Sequence, residues 1–168
     1  MAFAQLILRR GSRVLLTRHE RGAFAGRWTG LLARSAPGEA PIDTALRAAS
    51  AVGVRLPREA LQLRAVFQFL DRSSTLPDAG EAYSEHEFLA DQPEGCTDGG
   101  EPRSSADVTP AWHAADALPF AHMPADDAHW YPLLLRGALL VGRFEFGAAN
   151  QLTLARVTRV DALPAETT

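Results

Sequence analysis

The sequence predicts one α+β domain in which two helices pack against a sheet. Three observations lead there. Short β-prone runs outnumber helical segments, in the order β-β-loop-α-β-β-β-α-β-β. Glycine, proline and acidic clusters separate the runs. With 46% hydrophobic and 22% charged residues over 168 positions, the chain can bury one sizeable core. There is no internal repeat.

Ala2–Arg9 and Arg13–Arg18 read as a hairpin turning at Gly11-Ser12. Apolar and then arginine-rich, the segment Met1 to Arg13 also has the look of a short presequence, and is read as a strand. Arg21–Gly30 is a glycine-punctuated loop entering a strand. Pro41–Val52 is an alanine-rich helix, with Pro41 and Asp43 suited to its first turn and Gly53 to its end. Leu61–Asp71 and Ala82–Ala90 are strands around a turn-rich stretch. The glycine-, proline- and acid-rich run Asp91–Asp107 is an exposed loop, and Thr109–His113 a short strand. A second helix opens at Asp126-Asp127, either of which suits the N-cap, and runs towards Arg136, with Pro132 at a first-turn or kink position. Leu139–Phe146 and Gln151–Val160 form a closing hairpin. The domain so read spans 1–160, with a variable loop at 72–107 and a tail at 161–168.

A formal charge of −3 and a pI near 5.9 leave no basic stripe, which argues against a nucleic-acid binder. All 17 basic residues are arginine, so no lysine is available for phosphate or Schiff-base chemistry. Cys96 is the single cysteine, which excludes an intramolecular disulfide and a cysteine zinc site. No apolar run reaches membrane-spanning length. A cytoplasmic location is the expectation, with no membrane partner.

Several strings carry a family resemblance: Arg13-Val14-Leu15-Leu16, Arg21-Gly22, Ala25-Gly26-Arg27-Trp28, Gly38-Glu39, Val66-Phe67-Gln68-Phe69, Asp126-Asp127 with Trp130–Leu135, and Gly142–Phe146. Together they resemble the Nudix superfamily, and within it the oxidised-purine nucleoside triphosphate pyrophosphohydrolases. The resemblance runs almost end to end, interrupted mainly in Arg72–Asp107. It implies a mixed central sheet sandwiched between helices. It also implies a helix whose glutamates, three and four residues apart, hold magnesium against a pyrophosphate.

That signature is degenerate here. Its first glutamate falls on Glu39 and its arginine on Arg47, but the three later acid positions carry Ala48, Ala51 and Val52. The opening glycine becomes Ala33, and Gly53 arrives one place early. Arg47, Ala48, Ala51 and Val52 are expected to share the face that should be carboxylate. No catalytic set is intact, and no metal cofactor is expected, magnesium entering only with residual hydrolase activity. Glu39 and Asp107 remain as weak candidate ligands.

On the substrate side, the resemblance implies that Thr29 replaces a purine-reading asparagine, Ala23 a phenylalanine wall, Ala4 a threonine and His19 a pocket lysine. Asp126 and Asp127 retain the acids that face the purine edge, and Phe67 is a candidate wall. Ordinary readings compete: Glu39 as a capping acid, Asp126 and Asp127 as helix-opening acids, His122 and His129 as surface histidines. Trp28, Trp112 and Trp130 are read as core or pocket wall. Glu85-His86-Glu87 cannot converge as three ligands, because on a strand the two acids share one face and His86 the other.

The expectation is a Nudix-fold protein without pyrophosphohydrolase activity, acting as a structural or interaction subunit whose partners are other proteins, up to a large assembly. The alternatives are a purine-nucleotide binder and a weak magnesium-dependent nucleoside triphosphate or diphosphate pyrophosphohydrolase.

Overall fold

The computed structural model describes residues 1–73, 80 and 82–165. Strands β1 (Ala2–Arg10) and β2 (Arg13–His19) form the expected hairpin, pairing Leu8 with Leu15 across a turn in which Gly11 has φ 58°. The loop that follows ends in two short strands, β3 (Trp28–Thr29) and β4 (Leu31–Arg34), which pair with β2 and β1 respectively. Gly30 is the break between them. A Cβ there would sit 2.7 Å from Gln5 Oε1, the atom that accepts the Gly30 N–H at 2.5 Å.

Helix α1 (Pro41–Ala51) begins with proline and ends before Gly53, which turns the chain with φ 80°. Strands β5 (Gln62–Asp71), β6 (Ala82–Gln92) and β7 (Val108–Ala114) follow, then helix α2 (Asp127–Leu135) and the hairpin β8 (Leu139–Phe146) and β9 (Leu152–Val160). The sheet order is β3-β2-β1-β6-β5-β8-β9, with β4 also on β1 and β7 also on β2. Pairs β1–β6 and β5–β8 are parallel and the rest antiparallel, so the sheet is mixed.

Alternation along the strands divides the core in two. Ala4, Leu6 and Leu8 of β1, with Phe88 and Ala90 of β6, pack under Ala45, Ala48 and Ala49 of α1 and Val52 just beyond its end. Phe3 and Ile7, with Phe67, Phe69, Tyr83 and Phe144, pack against Trp130, Tyr131 and Leu134 of α2. Burying each of the large side chains stabilises the fold by roughly 1.5–3 kcal/mol. Trp130, Tyr131, Phe67 and Phe144 are all under 2% exposed, so the α2 side carries much of the core.

Two expectations need correction. Asp126 does precede α2, but its backbone is helical (φ −73°, ψ −27°) and its side chain caps nothing. Its carboxylate instead accepts the Trp130 indole N–H at 3.0 Å. Asp91–Asp107 is, as expected, mostly exposed loop beyond the end of β6, and it is tied down at several points. Arg55 N–H donates to Gly99 C=O at 2.6 Å, Arg103 N–H to Val52 C=O at 2.8 Å, and the Arg10 guanidinium meets Glu101 at 3.0 Å. The segment thus closes over the end of α1. Residues 74–79 and 81 of the expected variable loop, and 166–168 of the tail, lie outside the described residues. Pro132 lies inside α2 rather than in its first turn, where it has no N–H to donate to the carbonyl of the exposed Ala128. Among the described residues no helix is long and apolar enough to cross a membrane.

Candidate functional site

A small cavity of about 50 Å³, opening to solvent, lies between the sheet and the start of α2. Phe24, Phe69, Tyr83 and Phe146 give it aromatic walls, while Gln5, Glu85, Asp126 and Asp127 form a polar floor and Arg27 reaches in from the loop. Phe69 and Tyr83 are stacked, with centroids 5.0 Å apart and planes at 4°.

The floor follows from strand register. Parallel pairing sets Phe3 beside Glu85 and Gln5 beside Glu87, and β6 lies between β1 and β5. Side chains at 83, 85, 87 and 89 of that interior strand therefore enter the α2 layer. The Gln5 amide donates to Glu87 Oε2 at 2.9 Å and approaches Glu85 Oε1 at 3.4 Å. Glu87 is fully buried, and Asp126 and Asp127 are 4% and 3% exposed. Glu87 Oε1 and Asp127 Oδ2 have no hydrogen-bond partner.

Burial of so many acids holds protons on them. Loss of solvent, then the charge of Asp126, pushes Glu85 up to about 8. Burial raises Asp126 to about 6, against the indole bond that opposes it. Asp127 is driven well above the carboxylate range by burial and then by Asp126 and Glu85, as is Glu87 by burial and then by Glu85. The floor can therefore donate from protonated acids and accept from ionised ones near neutral pH.

Thr29 lines the cavity; its hydroxyl donates to the Gly30 carbonyl at 2.8 Å and meets His19 Nε2 at 2.7 Å. Ala23 lines it too, beside Phe24. Ala4 faces the α1 layer instead. Phe67 is not part of the lining. It is fully buried beneath, 5.3 Å from both Trp130 and Phe144, and Phe69, two residues on, supplies the wall expected of it. Both His122 and His129 are exposed.

The α1 side differs. Glu39 accepts from Arg47 at 2.9 and 2.8 Å, from the Ala36 N–H at 2.8 Å and from the Thr44 hydroxyl at 2.9 Å. The Arg47 bonds above all hold its carboxyl down to about 2. Arg47 also donates to the Arg34 carbonyl at 2.8 Å, so this pair staples the loop to the helix. Ala48, Ala51 and Val52 do not share one open face: Ala48 and Val52 are buried against the sheet, and Ala51 is exposed. Asp107 pairs with Arg21 at 2.6 Å on the surface.

No protein-family model matches the chain. By structure it resembles a mutator MutT protein from Bacillus halodurans, with a TM-score of 0.75 at 20% identity over 93% of this chain and 96% of that one. A MutT Nudix hydrolase from Burkholderia pseudomallei gives a TM-score of 0.56 at 24% identity, covering 70% and 85%. By sequence it is 31% identical over 153 residues to the oxidized purine nucleoside triphosphate hydrolase of Danio rerio, covering 90% of each protein. The Mus musculus protein of the same name is 30% identical over 150 residues, covering 89% of each. The chain belongs to the Nudix family.

The Nudix metal helix can therefore be compared with its counterpart here. Methyl and isopropyl groups at Ala48, Ala51 and Val52 offer no lone pair to magnesium, and the oxygens of Glu39 are taken by Arg47, Thr44 and Ala36. Among the described residues no three His, Cys, Asp or Glu side chains are grouped to hold a metal. The donor set of this Nudix helix does not fit the ion. Sequence reasoning missed Gln5, Phe24, Phe69, Tyr83 and the burial of Glu85 and Glu87. The available signal was Tyr83-x-Glu85-x-Glu87-x-Leu89, which places two acids in line with two large apolar residues.

Proposed function

We propose that this Nudix domain binds a purine-type base in the cavity between the sheet and α2, and does not cleave phosphates through its Nudix helix. The observation that carries the reading is the cavity floor. Asp126 and Asp127 are buried at its edge, with Asp127 Oδ2 unpartnered, and the walls are aromatic. A buried polar atom without a partner costs about 1–3 kcal/mol, which a ligand's hydrogen bond recovers. The curated relatives are named for oxidised purine nucleoside triphosphates, which supports a purine as the ligand class. A donor-rich edge such as guanine's complements ionised Asp126, while protonated Asp127 donates to a ring or carbonyl acceptor.

Calorimetric titration of guanosine tests this, with Asp126→Asn and Asp127→Asn alongside. Binding that is lost in either variant is the expected result. Heats absent up to millimolar guanosine, weaker than about −4 kcal/mol, would overturn it.

Interaction with other proteins is a second reading, compatible with the exposed surface but carried by no particular residue. The cavity favours the first.

A further inference from the structure

The floor of the cavity holds more acid than reading a neutral base requires. Glu85 lines it beside Asp126 and Asp127, and fully buried Glu87 stands behind, reached through Gln5. Gln5 cannot neutralise them: its amide is already divided between the two glutamates, and its carbonyl is fixed by Gly30. Arg27 is the cation on the lining; it opposes the rise at Asp127 as the least of the effects acting there. The remaining charge-bearing neighbours do not alter the balance. Tyr83 and Tyr131 are buried phenols pushed above their ordinary range, Asp71 is a further acid on the lining, and His129 lies on the solvent side of Asp126.

We infer that the cavity selects a planar heterocycle carrying a positive charge, an N-alkylated or otherwise cationic purine, over its neutral isostere. This deepens, and rests on, the reading of the cavity as a base site. Physically, several acids confined together cannot all ionise in the empty protein, because each buried charge raises the cost of the next. A cationic ring resting against the aromatic walls of Phe24, Phe69 and Tyr83 supplies the missing counter-charge, and an acid beneath it gives its proton to solvent. Asp127 lines that space, is 3% exposed and has an unpartnered Oδ2, so its carboxyl gains a donor. A neutral ring receives the same hydrogen bonds without that Coulombic gain.

The test uses the whole protein and two probes of equal shape: N7-methylguanosine, cationic at about pH 6, and 7-methyl-7-deazaguanosine, which is neutral. Calorimetry is expected to show the cation binding at least about tenfold tighter. Glu85→Gln, the neutral isostere of the protonated acid, should bring the two within about threefold of each other. Repeating the wild-type titrations in buffers of different ionisation heat should reveal proton release with the cation and none with its isostere. That measurement stands even if the variant fails to fold. Equal affinities, tighter binding of the neutral probe, or no proton release would overturn the inference and leave the base site intact. Failure of both probes and of guanosine to bind would overturn the base site itself.

Discussion

Glu85 and Glu39 are the same residue type with opposite responses to folding, and the difference is wholly one of surroundings. Glu39 lies in a net of donors dominated by Arg47, which holds it down to about 2. Glu85 loses solvent beside Asp126 and rises to about 8. Linkage gives each a separate pH window. For Glu85 the unfolded chain, near 4.5, ionises before the native one; the stability present below that value is lost as pH climbs through about 8. Asp126 acts the same way between 3.8 and about 6. Glu39 contributes above 4.5 and loses its contribution as pH falls towards about 2. Thermal melts of the ligand-free protein should therefore show a higher Tm at about pH 5.5 than at about pH 8.5. That decline should become shallower in Glu85→Gln, the remainder being carried by the other raised acids, Glu87 and Asp127. A Tm that stays level or rises over that range would show that the acids are not sharing protons as described. In Glu39→Gln it is the acid limb that should flatten.

Helix α1 shows what the sequence made legible at the scale of an element. Pro41, Asp43 and Gly53 marked its limits to within a residue, because caps and dipole preferences are local. Which side of the helix met the sheet was not legible. Packing decided it, burying Ala48 and Val52 and leaving Ala51 out. The restored acids should accordingly differ. Val52→Glu places a carboxylate at a position 2% exposed and should cost roughly 2 kcal/mol or more in denaturant unfolding, while Ala51→Glu should cost less than about 0.5 kcal/mol. Equal losses would contradict the placement of the helix. Strand β6 makes the complementary point. A period of two put Glu85 and Glu87 on one face, but only the crossovers that set β6 between β1 and β5 make that face interior. Long-range pairing is invisible to a local pattern. Phe67 was misplaced for the same reason: its strand was clear, but the depth of its position under α2 was not.

For the whole molecule, two halves of one Nudix sheet have met different fates. The α2 layer holds a walled cavity with charged and aromatic groups, whereas the α1 layer is hydrophobic packing with surface ion pairs, Arg47 to Glu39 and Arg58 to Asp43. The resemblance in sequence made this contrast visible from Ala48, Ala51 and Val52 alone. The cavity's acidity was not visible, since it comes from residues far apart in the chain. Because a ligand stabilises only by binding the native state, Tm should be insensitive to millimolar magnesium. A magnesium-specific rise of several degrees that Glu39→Gln abolishes would reveal a metal site that this account denies.

The claim that base binding persists without phosphate chemistry is tested most directly by titrating guanosine and then GTP, with and without magnesium, while pyrophosphate is measured in the same samples. The account predicts affinities within about threefold of one another, no effect of magnesium and pyrophosphate at background. GTP binding at least about tenfold tighter only with magnesium, accompanied by pyrophosphate release on the order of 1 per second, would contradict it.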